Sequence, residues 1–319
     1  MAEMLPSRTS QAIFDTEIVP AEFNGISKSP SKPPLAILVL GQTGAGKSIL
    51  VPTILEQMTS RDRKPAHFIA DTYKIYHPLY KDLIAHKPNL ASPTTSPDAR
   101  KWLHMAAEEA VRREVDVILE SACRHAKDFS ELAEVFHRGG YRIEVIILAV
   151  PAGLSLLGTV VRFYQKLPEA GSRGLPSRLT PTNVHNESYN GLLDAARYLD
   201  GSGIADQVLV VRRGLLVAYG EEKIDESNTR SSVAATLTTE RHKPLNLLEK
   251  DLALRDLAAL ESLGMASLSL PKLRELLYPL LRFSDSPDED LSPLSFVDED
   301  REEEKRRHVL RLGHPNKNG

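Results

Sequence analysis

The sequence predicts an α/β fold in which helices flank a mainly parallel sheet. From Leu35 to about Tyr219, strand-like apolar runs alternate with helix-like patterns, as in proteins built from successive strand and helix units. The apolar runs are nearly continuous, which is typical of parallel strands covered on both faces. The last two runs flank Arg212-Arg213-Gly214, and so short a connection predicts an antiparallel hairpin at the sheet edge.

The predicted elements follow one another along the chain with short connections. Strands are expected at residues 35–40, 67–70, 116–119, 143–150, 208–211 and 215–219. Helices are expected between them at residues 48–58, 97–113, 127–138, 154–167 and 184–199. This order favours a single large α/β domain.

The first strand runs directly into a glycine-rich segment. The segment reads Gly41-Gln42-Thr43-Gly44-Ala45-Gly46-Lys47-Ser48. It matches GxxxxGK[ST], in which backbone N–H groups and a helix N-terminus surround nucleotide phosphates. We interpret residues 41–48 as the cofactor-binding loop of a P-loop NTPase-type fold, with Lys47 on the β and γ phosphates and Ser48 on Mg²⁺. A glycine-rich turn without a ligand is the alternative.

Composition limits the remaining classes of protein. The 319 residues include a single cysteine, Cys123, so an internal disulfide framework is excluded. A net charge of −3 without a basic stripe argues against a nucleic-acid partner. No apolar stretch is long enough to span a membrane, and residues 1–31 lack the apolar core of a signal peptide, so we expect a cytoplasmic protein without a membrane partner.

The character of the chain changes on either side of the predicted α/β domain. We expect an N-terminal arm at residues 1–32, the α/β domain at 33–220, a polar linker at 221–243, a helical extension at 244–283 and an acidic, disordered tail at 284–319. Leucines at helical intervals predict a helix at 246–263, and a second helix at 271–283 is expected to be interrupted by Pro279. Ten carboxylates and one arginine between Asp285 and Glu304 indicate a solvated segment.

The second predicted strand ends at a carboxylate. Asp71 and His77 lie in Asp71-Thr-Tyr-Lys-Ile-Tyr-His77-Pro, at the carboxyl edge where open α/β sheets bind ligands. We expect this strand to neighbour the phosphate loop. Asp71 is either the base for an attacking hydroxyl or the cap of the next helix. His77 is a candidate substrate contact, although a structural role is more typical of an isolated histidine.

A second carboxylate follows the third strand. Glu120 lies four residues before Arg124. This segment contacts a substrate, or holds the groups around a bound metal ion, or is an ordinary ion pair at a helix start. Cys123, in the same turn, is interpreted as a packing residue.

Phosphoryl transfer also needs cations around the transferring group. Arg162 lies on the helix after the fourth strand, and Arg178 follows a glycine- and proline-containing loop in which Arg173 is a rival. Both Arg162 and Arg178 are candidates for phosphate contact.

Taken in order, these segments resemble the zeta toxin family of small-molecule kinases, whose members phosphorylate UDP-N-acetylglucosamine using ATP. Residues 41–48 resemble its Gly-Gln-x-Gly-x-Gly-Lys-[Ser/Thr] loop, and residues 71–78 its Asp-Thr-[Phe/Tyr]-Lys-x-x-His-Pro element. Glu120 and Arg124 resemble its strand-ending glutamate and following arginine. Arg162 in Gly158-Thr-x-x-Arg162, Arg178 in Arg178-x-Thr-Pro and His185 follow in the family's order.

The resemblance implies a set of roles. Asp71 would be the general base toward the sugar 3′-hydroxyl, Arg162 and Arg178 would stabilise the transferring phosphate, and Glu120 and Arg124 would line the substrate side. ATP and Mg²⁺ would be the cofactors, and a helical antitoxin protein that obstructs the ATP site would be a partner.

The sequence departs from the family pattern on the acceptor side. Ala122 stands where the family has a threonine, and His104 lies near the position of an expected acid. The resemblance as a whole makes a sugar-nucleotide kinase that acts as a toxin the leading hypothesis. The alternatives are a P-loop kinase of another acceptor, such as NAD, and a non-catalytic nucleotide-binding interaction protein.

Overall fold

The structure, a computed structural model, describes residues 4–165, 179–222, 232–262, 270–282, 291–296 and 310–311. Its main sheet contains β1 (Leu35–Leu40), β2 (Ala66–Ile69), β3 (Val117–Ser121), β4 (Arg142–Leu148), β5 (Gln207–Arg212), β6 (Leu216–Glu222) and β7 (Ser292–Pro293). These strands are arranged in the order β2-β3-β1-β4-β5-β6-β7. The first five strands in this order are parallel to one another. Strand β6 pairs antiparallel with β5, and β7 pairs antiparallel with β6. The α/β fold and the closing hairpin are confirmed.

Helices cover both faces of this sheet. They are α1 (Ser7–Ile13), a π-helical turn (Phe14–Ile18), α2 (Val19–Phe23), α3 (Lys47–Thr59), a 3₁₀ helix (Ala70–Tyr76), α4 (Tyr80–His86), α5 (Pro88–Arg113), α6 (Ala126–Arg138), α7 (Ala152–Tyr164), α8 (Thr182–Ser202), α9 (Val233–His242), α10 (Leu247–Ser262) and α11 (Leu270–Arg282). Two further short strands, β8 (Ser295–Phe296) and β9 (Leu310–Arg311), form a separate ribbon. Within the residues described, no helix combines the length and apolar character needed to cross a bilayer.

Side chains of the central strand divide between two cores, as expected for a strand buried on both sides. Residues 36, 38 and 40 of β1 join the core under α5, α6 and α8, and residues 35, 37 and 39 join the core under α3, α7, α10 and α11. The amino end of the sheet is tied by a buried carboxylate. Asp116 accepts the Leu35 N–H at 2.8 Å and pairs with Arg63 at 2.8 Å. The buried Asp116–Arg63 ion pair therefore lies at the end of the sheet opposite the phosphate loop.

Three segments outside the predicted α/β domain contribute to its cores or its sheet. The N-terminal arm packs into the first core through residues such as Ile18 and Phe23. The prediction of a linker at 221–243 is wrong for residues 233–242, which form α9, because Val233 and Leu237 are buried against the same core. The predicted tail lies mostly outside the described residues, but β7 within it extends the sheet beside β6.

Two predictions based on proline were also wrong. Helix α5 begins at Pro88 and runs through Pro93 and Pro97 instead of beginning at residue 97. Helix α11 runs through Pro279 without interruption. In α11 the buried residues Leu273, Leu277 and Leu281 pack with the second core, so burial offsets the hydrogen bond that proline removes.

Candidate functional site

The loop between β1 and α3 has the geometry of a phosphate cradle. Its first N–H, from Gly41, donates to the Ser121 carbonyl at the end of β3 at 3.1 Å. Gly44 and Gly46 have φ values of +78° and +101°, a region that only glycine enters without strain. Helix α3 begins at Lys47, which places its N-terminus at the loop. The positive end of the helix thus faces any group held there.

Lys47 bends back over this loop. Its Nζ donates to the Gly41 carbonyl at 2.6 Å. Burial lowers the pKa of Lys47, while Glu120 and Asp71 raise it and Arg162 lowers it further. The fold therefore brings four of the predicted site residues, from four separate segments, within electrostatic reach of one another. Ser48, on the first turn of α3, is exposed.

Asp71 lies in the first turn of the 3₁₀ helix that follows β2, and its side chain is 47% exposed. Its carboxylate forms an ion pair with Lys74, one turn along the same helix. The prediction that β2 neighbours the loop strand is wrong, because β3 lies between β2 and β1. Two strand spacings, about 10 Å, therefore separate Asp71's strand from that of the loop.

Glu120 lies within β3, and its side chain is 5% exposed. His67 of β2 contacts it, with Nε2 2.9 Å from Oε1, because residues 67 and 118 are paired and residue 120 lies on the same face of the sheet. The alternative in which Glu120 and Arg124 form an ordinary pair is wrong, because Glu120 contacts His67 and Arg124 contacts Glu187. Residues 120 and 124 occupy a strand end and a turn, where four-residue spacing does not align side chains as it does in a helix.

Arg124 instead pairs with Glu187 of α8, and both side chains are about two-fifths exposed. His77 is also placed differently from its predicted role as a substrate contact. It is 3% exposed, its Nδ1 accepts the Leu79 N–H at 3.2 Å and its Nε2 lies 3.6 Å from Asp98. Burial lowers the pKa of His77. These contacts support the structural role.

Arg162 lies in the last turn of α7 and is partly buried. Arg178, and its rival Arg173, lie outside the described residues. Helix α7 approaches the phosphate loop very closely, since a Cβ added at Gly158 would lie 2.6 Å from the Gly44 carbonyl oxygen. The absence of side chains at Gly44 and Gly158 thus allows α7, the helix that contains Arg162, to pack directly against the loop.

A sequence model of the zeta toxin family matches residues 21–224 of the chain. The chain belongs to the zeta toxin family. Toxin PezT of Streptococcus pneumoniae serotype 4 is 24% identical over 198 residues, which cover 61% of this chain and 75% of that protein. Toxin zeta of Enterococcus hirae is 22% identical over 186 residues, covering 58% and 63% of the two chains.

A solved structure from the PezAT chromosomal toxin–antitoxin system of S. pneumoniae has the same fold as this zeta toxin family member. It superposes with a TM-score of 0.62 at 21% identity, and covers 82% of this chain and 99% of its own. At this identity the likeness shows the fold. The roles of individual site residues remain predictions that rest on the geometry above.

Several residues at the zeta toxin site carried no usable signal in the sequence. His67 contacts Glu120, and only the fold reveals this pairing. Lys74 contacts Asp71; it stands in the Asp-Thr-[Phe/Tyr]-Lys-x-x-His-Pro element, but the sequence assigned it no role. Arg241 of α9 hydrogen-bonds to Gln42 of the loop, and it lies in the segment predicted to be a linker. His104, where the sequence departs from the family pattern, lines a cleft of about 290 Å³ between α5 and α6.

Proposed function

We propose that this protein is an ATP-dependent phosphotransferase of zeta type, which transfers the γ phosphate of ATP to a hydroxyl of a sugar nucleotide, most simply UDP-N-acetylglucosamine. The observation that carries the proposal is that the segments of Asp71, Glu120 and Arg162 meet the Lys47 loop at the carboxyl edge of the sheet. The Gly41 N–H donates to the end of β3, Gly158 of α7 packs on Gly44, and all three charges act on the pKa of Lys47. A phosphate loop alone would hold a nucleotide. A carboxylate and a second cation beside it are what transfer to a hydroxyl requires.

The donor half of the reaction is assigned to the loop and α7. Lys47 would exchange its hydrogen bond to the Gly41 carbonyl for the β and γ phosphates of ATP. Ser48, exposed on the first turn of α3, fits the position of a Mg²⁺ ligand. Mg²⁺ supplies neutralisation of phosphate charge when bound. Arg162, with Arg178 from outside the described residues, would stabilise charge on the transferring group.

The acceptor half is assigned to the ends of β2 and β3. Asp71 would accept the proton of the attacking hydroxyl, and the ion pair with Lys74 would orient its carboxylate. Glu120, held by His67 at 2.9 Å, would contact the acceptor from the neighbouring strand. Arg124, which is exposed and paired with Glu187, could exchange that partner for an acceptor phosphate.

A second acceptor class keeps the same chemistry. Ala122 provides no hydroxyl where the family has a threonine, so a hydroxyl that would help to hold the acceptor is missing. A dinucleotide such as NAD is therefore the second candidate acceptor. The donor-side assignments are the same in both cases.

The experiment is mass spectrometry of reactions containing the protein, Mg²⁺-ATP and either UDP-N-acetylglucosamine or NAD. We expect a product that gains one phosphate with the sugar nucleotide and no product with the matched variant Asp71→Asn. A phosphorylated NAD product would select the second candidate. ATP binding with no product from any acceptor would overturn the enzymatic proposal and favour a nucleotide-binding interaction protein.

An antitoxin partner is part of the same proposal. The related PezAT structure comes from a toxin–antitoxin system. A cell would need an antitoxin to restrain a kinase that consumes a sugar nucleotide made in the same cytoplasm. Expression of the full chain should arrest growth, and Asp71→Asn should relieve the arrest. Equal toxicity of the two proteins would contradict this role.

A further inference from the structure

Helix α9 brings a buried cation to the phosphate loop from outside the part of the chain that matches the family. The family match ends at residue 224, and α9 spans Val233–His242. Arg241 on this helix is 5% exposed. Its guanidinium carbon lies 3.9 Å from the centroid of the Tyr189 ring, and Nη1 donates to the Tyr189 carbonyl at 2.8 Å. Arg241 is thereby fixed against α8.

The other end of the Arg241 guanidinium reaches the loop. Nη2 donates to Oε1 of Gln42 at 3.0 Å, and Nε2 of Gln42 donates to the Val150 carbonyl at 2.7 Å. Gln42 is fully buried. Because arginine only donates hydrogen bonds and a carbonyl only accepts them, both ends of the Gln42 amide are fixed in one orientation. The second residue of the phosphate loop is therefore held between β4 and α9.

The partners of Arg241 are neutral, which is unusual for a buried cation. The contacts described above are the side-chain amide oxygen of Gln42, the main-chain carbonyl of Tyr189 and the Tyr189 ring. Burial lowers the pKa of Arg241 to about 10, which still leaves it charged at neutral pH. Its hydrogen bond to Gln42 places this charge beside the phosphate loop. Positive charge placed there favours an anionic ligand.

We propose that Arg241 is a positioning residue for the phosphate loop, acting through Gln42, and that α9 is thereby an integral part of the nucleotide site. This inference rests on the proposed function only in taking the loop as the ATP site. It assigns to the segment after residue 224 a role in nucleotide affinity. It also predicts that the family-matched region alone binds ATP more weakly than the full chain.

The test compares two buried arginines in the full chain. Arg212 is 3% exposed and also holds the C-terminal helices, through Glu249, Glu240 and the Pro244 carbonyl at 2.8 Å. It makes none of the loop contacts described for Arg241. Arg241→Met and Arg212→Met should both lower the thermal midpoint. Only Arg241→Met should raise the Kd and KM for ATP, by about tenfold, which corresponds to a lost hydrogen bond to a charged group.

Two further readouts separate positioning from general destabilisation. The kcat of Arg241→Met at saturating ATP should stay within about threefold of the parent, and Arg241→Lys should recover part of the affinity, because it keeps the charge but not the planar fork. In a double-mutant cycle, Gln42→Leu and Arg241→Met should be strongly non-additive in ATP affinity.

Equal ATP affinity in Arg241→Met and Arg212→Met, or additive effects of Gln42→Leu and Arg241→Met, would overturn the inference. Should Arg241→Met fail to fold, Tyr189→Leu is tested instead. This variant retains Arg241 but removes the ring that packs against its guanidinium. A rise of about threefold or more in the ATP Kd supports the inference, and an unchanged Kd overturns it. Direct ATP titration keeps this test separate from the proposed reaction, since it needs no acceptor.

Discussion

The phosphate loop and the strand ends that face it are held by different kinds of contact. Backbone packing and buried hydrogen bonds fix the loop: Gly44 packs against α7, and the Gln42 side chain hydrogen-bonds to the Val150 carbonyl and to Arg241. Ion pairs fix the facing groups, since Asp71 contacts Lys74 and Arg124 contacts Glu187 on partly exposed surfaces. A packed loop keeps one shape, whereas exposed ion pairs exchange partners at small cost. Under the proposed function, the donor side would therefore be preformed, and the acceptor side would be suited to rearrangement when substrate binds.

Two lysines, Lys47 and Lys74, sharpen this comparison, and the larger effect belongs to Lys47. Lys47→Met removes the cation that faces the phosphates, so kcat/KM for ATP should fall by about 10³. Steady-state kinetics and ATP titration measure the loss. Lys47→Met with ATP affinity and turnover both near those of the parent would show that the loop does not hold ATP.

Packing on the donor side is tested by Gly158→Ala. The new Cβ would lie 2.6 Å from the Gly44 carbonyl oxygen, and such overpacking typically costs about 1–3 kcal/mol. We expect a lower unfolding midpoint and weaker ATP binding. Gly201→Ala is the matched control, since no atom lies within 4 Å of its added Cβ and helix propensity favours alanine. The prediction fails if the two variants bind ATP equally.

Lys74→Met tests the acceptor side. Without its ion pair, Asp71 loses orientation, and kcat should fall by about tenfold while the ATP Kd is unchanged. The exposed Lys81 offers a control, and Lys81→Met should leave both constants unaltered. Weakened ATP binding in Lys74→Met, with normal kcat, would place Lys74 on the donor side instead.

The lowered pKa of Lys47 predicts a pH dependence of ATP binding. Only the protonated amine attracts phosphate, and burial lowers the pKa of Lys47 below that of an ordinary lysine. The phosphates of bound ATP raise it again, so affinity is full at pH below the free-loop pKa and is lost as pH rises through it. Titrations of ATP binding at increasing pH should show this loss. In Lys47→Met, the same alkaline loss of affinity should be absent.

The smallest effect concerns Cys123, between the two sides. It is 2% exposed, and burial raises the pKa of its thiol to about 12, so little thiolate forms at neutral pH. Iodoacetamide should leave the native protein unmodified and should modify it fully in urea, as mass spectrometry can show. Rapid modification of the native chain would mean that the turn after β3 opens to solvent.

The sequence by itself predicted the α/β fold, because continuous apolar strands and a strand–loop–helix motif are local patterns. It also predicted Lys47, Asp71 and Glu120 as site residues, since each follows or lies beside a strand end where parallel sheets place ligands. Arg162 was predicted from the need for cations around a transferring phosphate. Local chemistry could not predict that β3 separates Asp71's strand from the loop strand, because strand order is set by packing across the whole domain.

Only the tertiary structure decided which charged groups are partners. Glu120 pairs with His67 across two strands, and Arg124 pairs with Glu187, 63 residues away. Arg241 lies 199 residues from Gln42, in a helix whose polar composition predicted a linker. Such contacts depend on how distant elements meet, and neither spacing nor hydrophobic periodicity records this. The sequence therefore determined the phosphate loop, and the fold determined what holds it and what faces it.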